Sequence, residues 1–380
     1  MLRYLSRTPI LNKCVLVRVD FNVPIRGRGV LDAYDIHRAL PSIRQLIKQG
    51  NTVVLLSHHS DDRQTLAPVA PLLARMLRRP VTFLRNPLSS RAREAVRRAR
   101  PPRRVFLAEN VRFWRGERRN SRPFARSLAA LGDVFINEAF GELHRPYASI
   151  VGIPRFLPSF AGPLVMAELE MLRPFAHRPK RPLIGVFGGA KIETKLRILD
   201  RFSRIADHLL IGGGVANTLL RARGFPIGRS LAGRATAAIR RLARSRKVLL
   251  PSDVIVAGGG HRARNAPVTG VGLRERIYDI GPQTRSRFRR AIRSGRTIVW
   301  NGPLGLAEER RYAGGTLAIA RALARHRGAV LVGGGDTVAF LGRTRLLQKF
   351  KYVSTGGGAM IAYLAGQKLP GLEALKHSRH

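Results

Sequence analysis

Gly188-Gly189-Ala190-Lys191, Gly333-Gly334-Gly335-Asp336-Thr337 and Ser354-Thr355-Gly356-Gly357-Gly358 each directly follow a predicted strand, Leu183–Phe187, Ala329–Val332 and Phe350–Val353 in turn. Glycine lets the backbone approach a ligand closely, and a helix beginning after such a turn points free N–H groups at an anion. A single turn of this kind serves equally well just to reverse the chain. Three of them, at strand ends of one predicted sheet, point to a shared anion site. A fourth run, Gly212–Gly214, is placed to line the same crevice. Neither the G-x-x-x-x-G-K-[ST] phosphate loop nor the dinucleotide fingerprint is present in proper form. Asp336 reads either as a helix N-cap or as a contact to Mg²⁺, which takes one or two carboxylates plus nucleotide phosphates. Lys191 and Lys195, spaced i, i+4, are expected on one helical face. Compact ammonium groups there suit a migrating phosphoryl group, or else simply a solvated surface.

The first half carries a different set. Asp20 and Asn22 alternate with Val19, Phe21 and Val23 where the first predicted strand ends, and His58 ends the second. Arg112 follows Glu109-Asn110-Val111, and His144-Arg145 follows Asn137-Glu138-Ala139-Phe140-Gly141. Each predicted strand end therefore presents a polar or cationic group. Together they suit a small, multiply anionic ligand, because arginine grips carboxylate and phosphate bidentately. Taken singly, Asp20 and Asn22 read as turn caps.

These residues need a scaffold that brings strand ends together. Cys14–Val19, Thr52–Leu56, Val105–Leu107, Val134–Asn137, Leu183–Phe187, His208–Ile211, Val248–Leu250, Thr297–Trp300 and Ala329–Val332 read as buried strands. Helical stretches lie between them, among them 38–49, 69–77, 124–131 and 317–327. The alternation predicts parallel sheets with helices on both faces, and ligands beyond the carboxyl ends of the strands. Prolines 154, 158 and 163 punctuate a boundary, followed by a helix over 166–176 and an exposed-looking stretch to Pro182. The expected division is 1–155, an interdomain helix and linker at 156–180, 181–355, and a C-terminal segment at 356–380. The βα rhythm common to the halves is too generic to mark a duplication.

The chain has 380 residues, 44% of them hydrophobic, which is enough for two sizeable cores. No apolar run of membrane-spanning length occurs, and the first residues read as no signal peptide. The lone Cys14 fits a reducing cytoplasm. The formal net charge is +46, from 69 basic and 23 acidic residues. The arginines run from Arg3 to Arg379 without a block, aromatics are 7%, and there is no zinc-finger or RNA-binding signature. This pattern reads as arginine bias on solvated faces, with weak, salt-sensitive binding to polyanions and no specific nucleic-acid partner. The histidines form no transition-metal spacing.

Taken together, the segments resemble phosphoglycerate kinases. Arg18-Val19-Asp20-Phe21-Asn22-Val23-Pro24 matches that family's RVDFNVP signature unchanged. Glu109-Asn110-Val111-Arg112-Phe113, Gly188–Lys191, Asp279-Ile280-Gly281-Pro282, Trp300-Asn301-Gly302-Pro303, Gly333–Thr337, Ser354–Ala359 and Leu369-Pro370-Gly371 follow in order. The resemblance spans essentially the whole chain. It implies two doubly wound parallel-sheet α/β domains joined by an interdomain helix, with a cleft between them that closes by hinge bending. It implies reversible phosphoryl transfer between 1,3-bisphosphoglycerate and Mg-ADP in glycolysis, by a cytoplasmic enzyme that is usually monomeric. Carried over by position, it puts Asp20, Phe21, Asn22, His58, Arg112 and Arg145 on the triose acid. Gly189, Lys191, Lys195, Asn301, Pro303, Gly305 and Glu308 go to the nucleotide, with Gly334, Gly335, Asp336 and Thr337 at its phosphates and magnesium. Lys191, Arg112 and Arg145 are the implied catalytic groups. In-line transfer of this kind needs positioning and charge neutralisation rather than a covalent intermediate.

The pattern breaks at several positions. Asp35 and Asp61 stand where the family has arginine, in substrate-binding segments. Arg38 and Arg63, or Arg26 and Arg28, are the neighbouring cations that could substitute. Tyr147 replaces a usual histidine, Thr194 a usual aspartate and Ala167 a usual lysine. The rival reading is an impaired family member that keeps nucleotide or polyanion binding; a third is a related kinase acting on a different acid.

Overall fold

The computed structural model describes residues 2–5, 9–27, 29–99, 104–193, 195–258 and 261–378. Its strands are β1 (Cys14–Arg18), β2 (Ile25–Arg26), β3 (Gly29–Val30), β4 (Thr52–Leu56), β5 (Val81–Leu84), β6 (Val105–Ala108), β7 (Val134–Asn137) and β8 (Ser159–Ala161). They continue as β9 (Leu183–Phe187), β10 (His208–Ile211), β11 (Val248–Leu249), β12 (Asp253–Gly258), β13 (His261–Pro267), β14 (Glu275–Ile280), β15 (Thr297–Asn301), β16 (Ala329–Gly333) and β17 (Tyr352–Ser354). The chain divides into two compact units, Met1–Glu170 with Lys368–His380, and Met171–Gln367. The division falls inside helix Pro163–Ala176.

The first unit is built on a six-stranded parallel sheet in the order β5-β6-β4-β1-β7-β8. Its central strands are buried along their whole length, which is why they read as continuous apolar runs. Helix Tyr34–Lys48 buries Ile36, Ala39, Leu40, Ile43, Leu46 and Ile47, a helical-period stripe packed with Val15, Val17, Val53 and Leu55 of the sheet. From β1 the order runs one way through β4 and the other way through β7. Arg18 is in register with Leu56 on one side and Asn137 on the other, so three strand ends meet at this reversal.

The second unit repeats the plan with the order β11-β10-β9-β15-β16-β17, again all parallel. Its reversal lies between β9 and β15, where Phe187 is in register with Asn301 and Asn301 with Gly333. Its core gathers Ile184, Val186, Ile298, Trp300, Val332 and Phe288. A separate antiparallel sheet, β13-β12-β14, carries Tyr278, Asp279 and Ile280 on its last strand.

All nine buried runs read from the sequence are strands, to within a residue or two. The antiparallel sheet, β2, β3, β5 and β8 lie outside that reading; β5 is a four-residue edge strand with only Leu84 buried, and β13 is largely polar in sequence. The helices begin earlier than expected, at Tyr34, Arg122 and Gly314, because their first turns are polar or glycine-rich and carry little apolar period.

Candidate active site

In the second unit the glycine turns converge. The Gly188 N–H donates to Asn301 O (3.0 Å), Gly189 to Pro303 O (2.7 Å), Gly212 to Phe187 O (3.0 Å) and Gly213 to Leu304 O (2.9 Å). Gly213 has φ +59°, and a Cβ there would lie 3.0 Å from the Gly189 nitrogen, so the two turns touch only as glycine. Beside them opens a cavity of about 500 Å³, lined by Gly189, Ala190, Gly213, Gly214, Pro303, Gly305, Glu308 and Asp336, among others. Tyr278, Asp279 and Ile280 line it as well, as do Asn217, Arg229 and Arg276. Tyr278 stacks on Tyr312, ring centroids 4.3 Å apart and 8° between planes.

Lys195 belongs to this group. A Cβ on Gly189 (φ +94°) would lie 3.5 Å from its Nζ. Burial pushes its ammonium pKa down, and the Asp336 carboxylate opposes that shift. Lys191 and Lys195 are not on one helical face: helix Leu196–Ile205 starts after both, with Lys195 as its N-cap, and the glycine turn runs on through Lys191 in irregular backbone. Asp336 is not an N-cap either. Gly334 holds that position at φ +95°, and the exposed Asp336 lies in the first turn of helix Gly335–Arg343. Asn301 and Thr337 are buried under the turns rather than on the cavity wall. Asn301 Nδ2 donates to Gly333 O (2.9 Å), and Thr337 Oγ1 accepts from the Gly302 N–H (2.8 Å). Residues 354–358 follow the edge strand β17 and are not part of the lining just described. Among the described residues no group of three or more His, Cys, Asp or Glu could hold a metal ion.

In the first unit, Arg18, Asp20, His58, Arg112, Glu142 and Arg145 form one polar cluster at the strand ends. Arg18 is fully buried. Its Nε donates to Ser149 Oγ (2.9 Å), and its Nη2 lies 3.1 Å from His58 Nδ1. Ser149 in turn donates to the buried Glu117 (2.6 Å), which balances the Arg18 charge. Arg112 Nη2 donates to Glu142 Oε2 (2.8 Å) and Arg145 Nε to Glu142 Oε1 (3.2 Å). His58 Nδ1 is 3.8 Å from Asp20 Oδ1, an oxygen with no hydrogen-bond partner. Burial, then the Glu142 charge, raises Asp20. Burial, then Arg18, holds His58 well below its ordinary value, so the ring is neutral. Phe21 is anchored by its backbone N–H on Ser57 Oγ (2.8 Å), and Asn22 Oδ1 accepts from the Ser60 N–H (2.7 Å), which ties the two loops that follow β1 and β4.

The two aspartates at arginine positions behave differently. Asp61 Oδ1 accepts from the backbone N–H of Arg63 (2.9 Å) in an exposed turn, a capping role. Asp35 is half-buried; burial, then the nearby Asp20, pushes it up to about 6. Arg38 pairs with the buried Glu168 (3.5 Å), the side chain of Arg63 is exposed, and Arg26 is exposed. None of these is joined to the Arg112–Glu142–Arg145 group by the contacts above. Arg28 and Thr194 lie outside the described residues. Glu142, Glu117 and Ser149 went unnoticed in the sequence. The one available signal was the i, i+3 spacing of Glu142 and Arg145 directly after a strand end.

Fold and site define an α/β protein of two doubly wound units, one carrying a cradle of glycine turns and the other a buried arginine–histidine cluster. A family model for phosphoglycerate kinase matches residues 5–367, and the chain belongs to that family. It is 41% identical over 381 residues to the phosphoglycerate kinase of Pelotomaculum thermopropionicum, covering 96% of this chain and 97% of the relative. It is 41% identical over 387 residues to that of Methylorubrum populi, covering 97% and 96%. Among solved structures it superposes on phosphoglycerate kinase from Coxiella burnetii with a TM-score of 0.84 at 35% identity, covering 99% of both chains. For the enzyme from Pyrococcus horikoshii the TM-score is 0.86 at 28% identity, covering 99% and 98%.

Proposed function

We propose that this chain works as a phosphoglycerate kinase, moving a phosphoryl group reversibly between 1,3-bisphosphoglycerate and ADP, with 3-phosphoglycerate and ATP as the other pair. The observation that carries the reading is the glycine-turn cavity lined by Asp336, with Lys195 beside its Gly189 turn, in a chain of this family. The nucleotide occupies that cavity. The backbone of Gly189, Gly213 and Gly214 accommodates it closely, Glu308 takes the ribose, and the N-terminus of helix Gly335–Arg343 faces its phosphates. Lys191 and Lys195 supply positive charge to the migrating group.

A single exposed carboxylate, Asp336, fits Mg²⁺, which keeps several waters and binds mainly through the phosphates. Bound there, the ion would neutralise charge on the phosphate oxygens. Arg112 and Arg145, with neutral His58, Asp20 and Asn22, hold the triose acid. The guanidiniums bind its anionic groups, and His58 Nε2–H is free to donate because Nδ1 faces Arg18. The aspartate at position 61 is compatible with this role, since its carboxylate is engaged in its own turn. Among the described residues no helix is long and apolar enough to cross a membrane. A cytoplasmic, monomeric enzyme accords with the family.

A coupled assay of ATP consumption with 3-phosphoglycerate tests the assignment. Turnover well above a Lys191→Ala control is expected. Turnover indistinguishable from that control would sink it.

A further inference from the structure

Glu142 is an acid at the centre of a basic group. It ends the short turn Phe140–Glu142 just beyond β7 and is only 7% exposed. Its Oε2 accepts from Arg112 Nη2 at 2.8 Å; its Oε1 accepts from Arg145 Nε at 3.2 Å and lies 3.6 Å from His58 Nε2. A buried carboxylate persists only when paired, and here both oxygens are.

Two consequences follow. Arg112 is held through Nη2 and Arg145 through Nε, with Arg145 Nη1 also donating to Tyr147 Oη at 3.3 Å, so both guanidiniums are oriented before any ligand arrives and less rotamer freedom is lost on gripping one. Tyr147 packs against both, its ring 5.7 Å from the Arg112 guanidinium carbon and 5.6 Å from that of Arg145. The second consequence is electrostatic. A negative charge lies within hydrogen-bond distance of the two cations that would grip an anion, in a partly buried setting where screening is weak. Arg112 retains a buried Nε with no hydrogen-bond partner.

We propose that Glu142 is a positioning and specificity-determining residue of the acid site: it orients Arg112 and Arg145 and attenuates their hold on a multiply anionic carboxylic-acid phosphate. The inference rests on the assignment of the triose acid to these two arginines. Glu142→Gln removes the charge and keeps the shape. Glu142→Asp keeps the charge and shortens the reach by one methylene.

The experiment compares the full-length wild type, E142Q and E142D by steady-state kinetics in both substrates and by calorimetric titration with 3-phosphoglycerate. In E142Q, KM and Kd for the acid should fall about tenfold while KM for MgATP stays level. In E142D, Kd for the acid should stay within about twofold while kcat drops about tenfold, because the arginines lose their orientation. E142Q binding the acid no more tightly, with MgATP kinetics intact, overturns the proposal. If E142Q does not fold, E142D decides, and wild-type kcat in that variant overturns it. If the wild type neither binds nor phosphorylates the acid but E142Q binds it, the functional assignment fails and this inference stands. If neither protein binds it, both fail.

Discussion

Arg18 and His58 are joined across the paired strands β1 and β4, with Arg18 Nη2 3.1 Å from His58 Nδ1 and both side chains buried. A guanidinium has only donors, so Nδ1 must accept and the ring proton sits on Nε2, 3.6 Å from Glu142. Burial and the Arg18 charge together hold the ring neutral. The unfolded chain therefore binds a proton at His58 that the folded chain refuses. The resulting contribution to stability is complete above the ordinary histidine pKa and is lost as pH falls below it. His58→Gln should shrink the drop in melting temperature between pH 7 and pH 5. Scanning calorimetry of both proteins at the two values checks this, and an unchanged drop rejects it.

Burial, and after it the charge of the nearby Asp20, disfavours the ionised form of Asp35. Its folded pKa of about 6 is well above the ordinary aspartate range, so the folded state binds the proton more tightly. Stability is thus highest below the unfolded value and falls as pH rises toward 6. Asp35→Asn should raise the melting temperature at pH 8 by about 2–4 °C, the shift expected of roughly 1 kcal/mol in a unit this size. The gain should vanish near pH 4. An Asn variant no more stable than wild type at pH 8 would show that the buried Asp35 charge carries no cost.

Much of this was legible in the chain. Central strands buried on both faces are spelled as unbroken aliphatic runs, so β1, β4, β9 and β15 could be read directly, and with them the strand ends that carry Asp20, His58 and the glycine turns. The antiparallel sheet β13-β12-β14 could not, because runs such as His261–Pro267 are largely polar. Lys195 looked helical from spacing alone, whereas tertiary demand for the Gly189 turn delays the helix to Leu196. Glu142 was illegible for another reason. An acid three residues before an arginine looks like a solvated pair, and only the convergence of β4, β6 and β7 turns it into a shared acceptor for Arg112 and Arg145.

Lys195 lies beside the Gly189 turn and feels the charge of Asp336, which lines the glycine-turn cavity. If phosphates lie between the lysine and helix Gly335–Arg343, Lys195→Ala should raise KM for MgATP by about tenfold or more and leave KM for 3-phosphoglycerate within about twofold. Asp336→Asn should shift the Mg²⁺ dependence of turnover to higher concentration. Steady-state kinetics in each substrate reads the first, and titration of activity with Mg²⁺ at fixed ATP reads the second. An effect of Lys195→Ala confined to the acid would contradict the placement of the nucleotide.

Asp279 lines the same cavity. Its side chain is 1% exposed and accepts from the Gly315 N–H (2.5 Å), the Ile280 N–H (2.8 Å) and Arg285 Nη2 (3.0 Å). One carboxylate thereby ties β14 to the starts of helices Pro282–Ser294 and Gly314–Ala324, while its own residue lines the cavity. Burial pushes its pKa up to about 6 despite these donors. Asp279→Ala leaves a guanidinium and two backbone N–H groups without their acceptor, a loss of about 3–5 kcal/mol. Asp279→Asn keeps one acceptor oxygen and removes a charge that is costly to bury, so its loss should be less than half as large. Urea denaturation midpoints of the two variants check the order. Because the wall they disturb belongs to the nucleotide cavity, saturating MgATP should recover part of the Asp279→Asn loss, by mass action on the folded state. Equal destabilisation by both variants would mean that the carboxylate acts only through its volume.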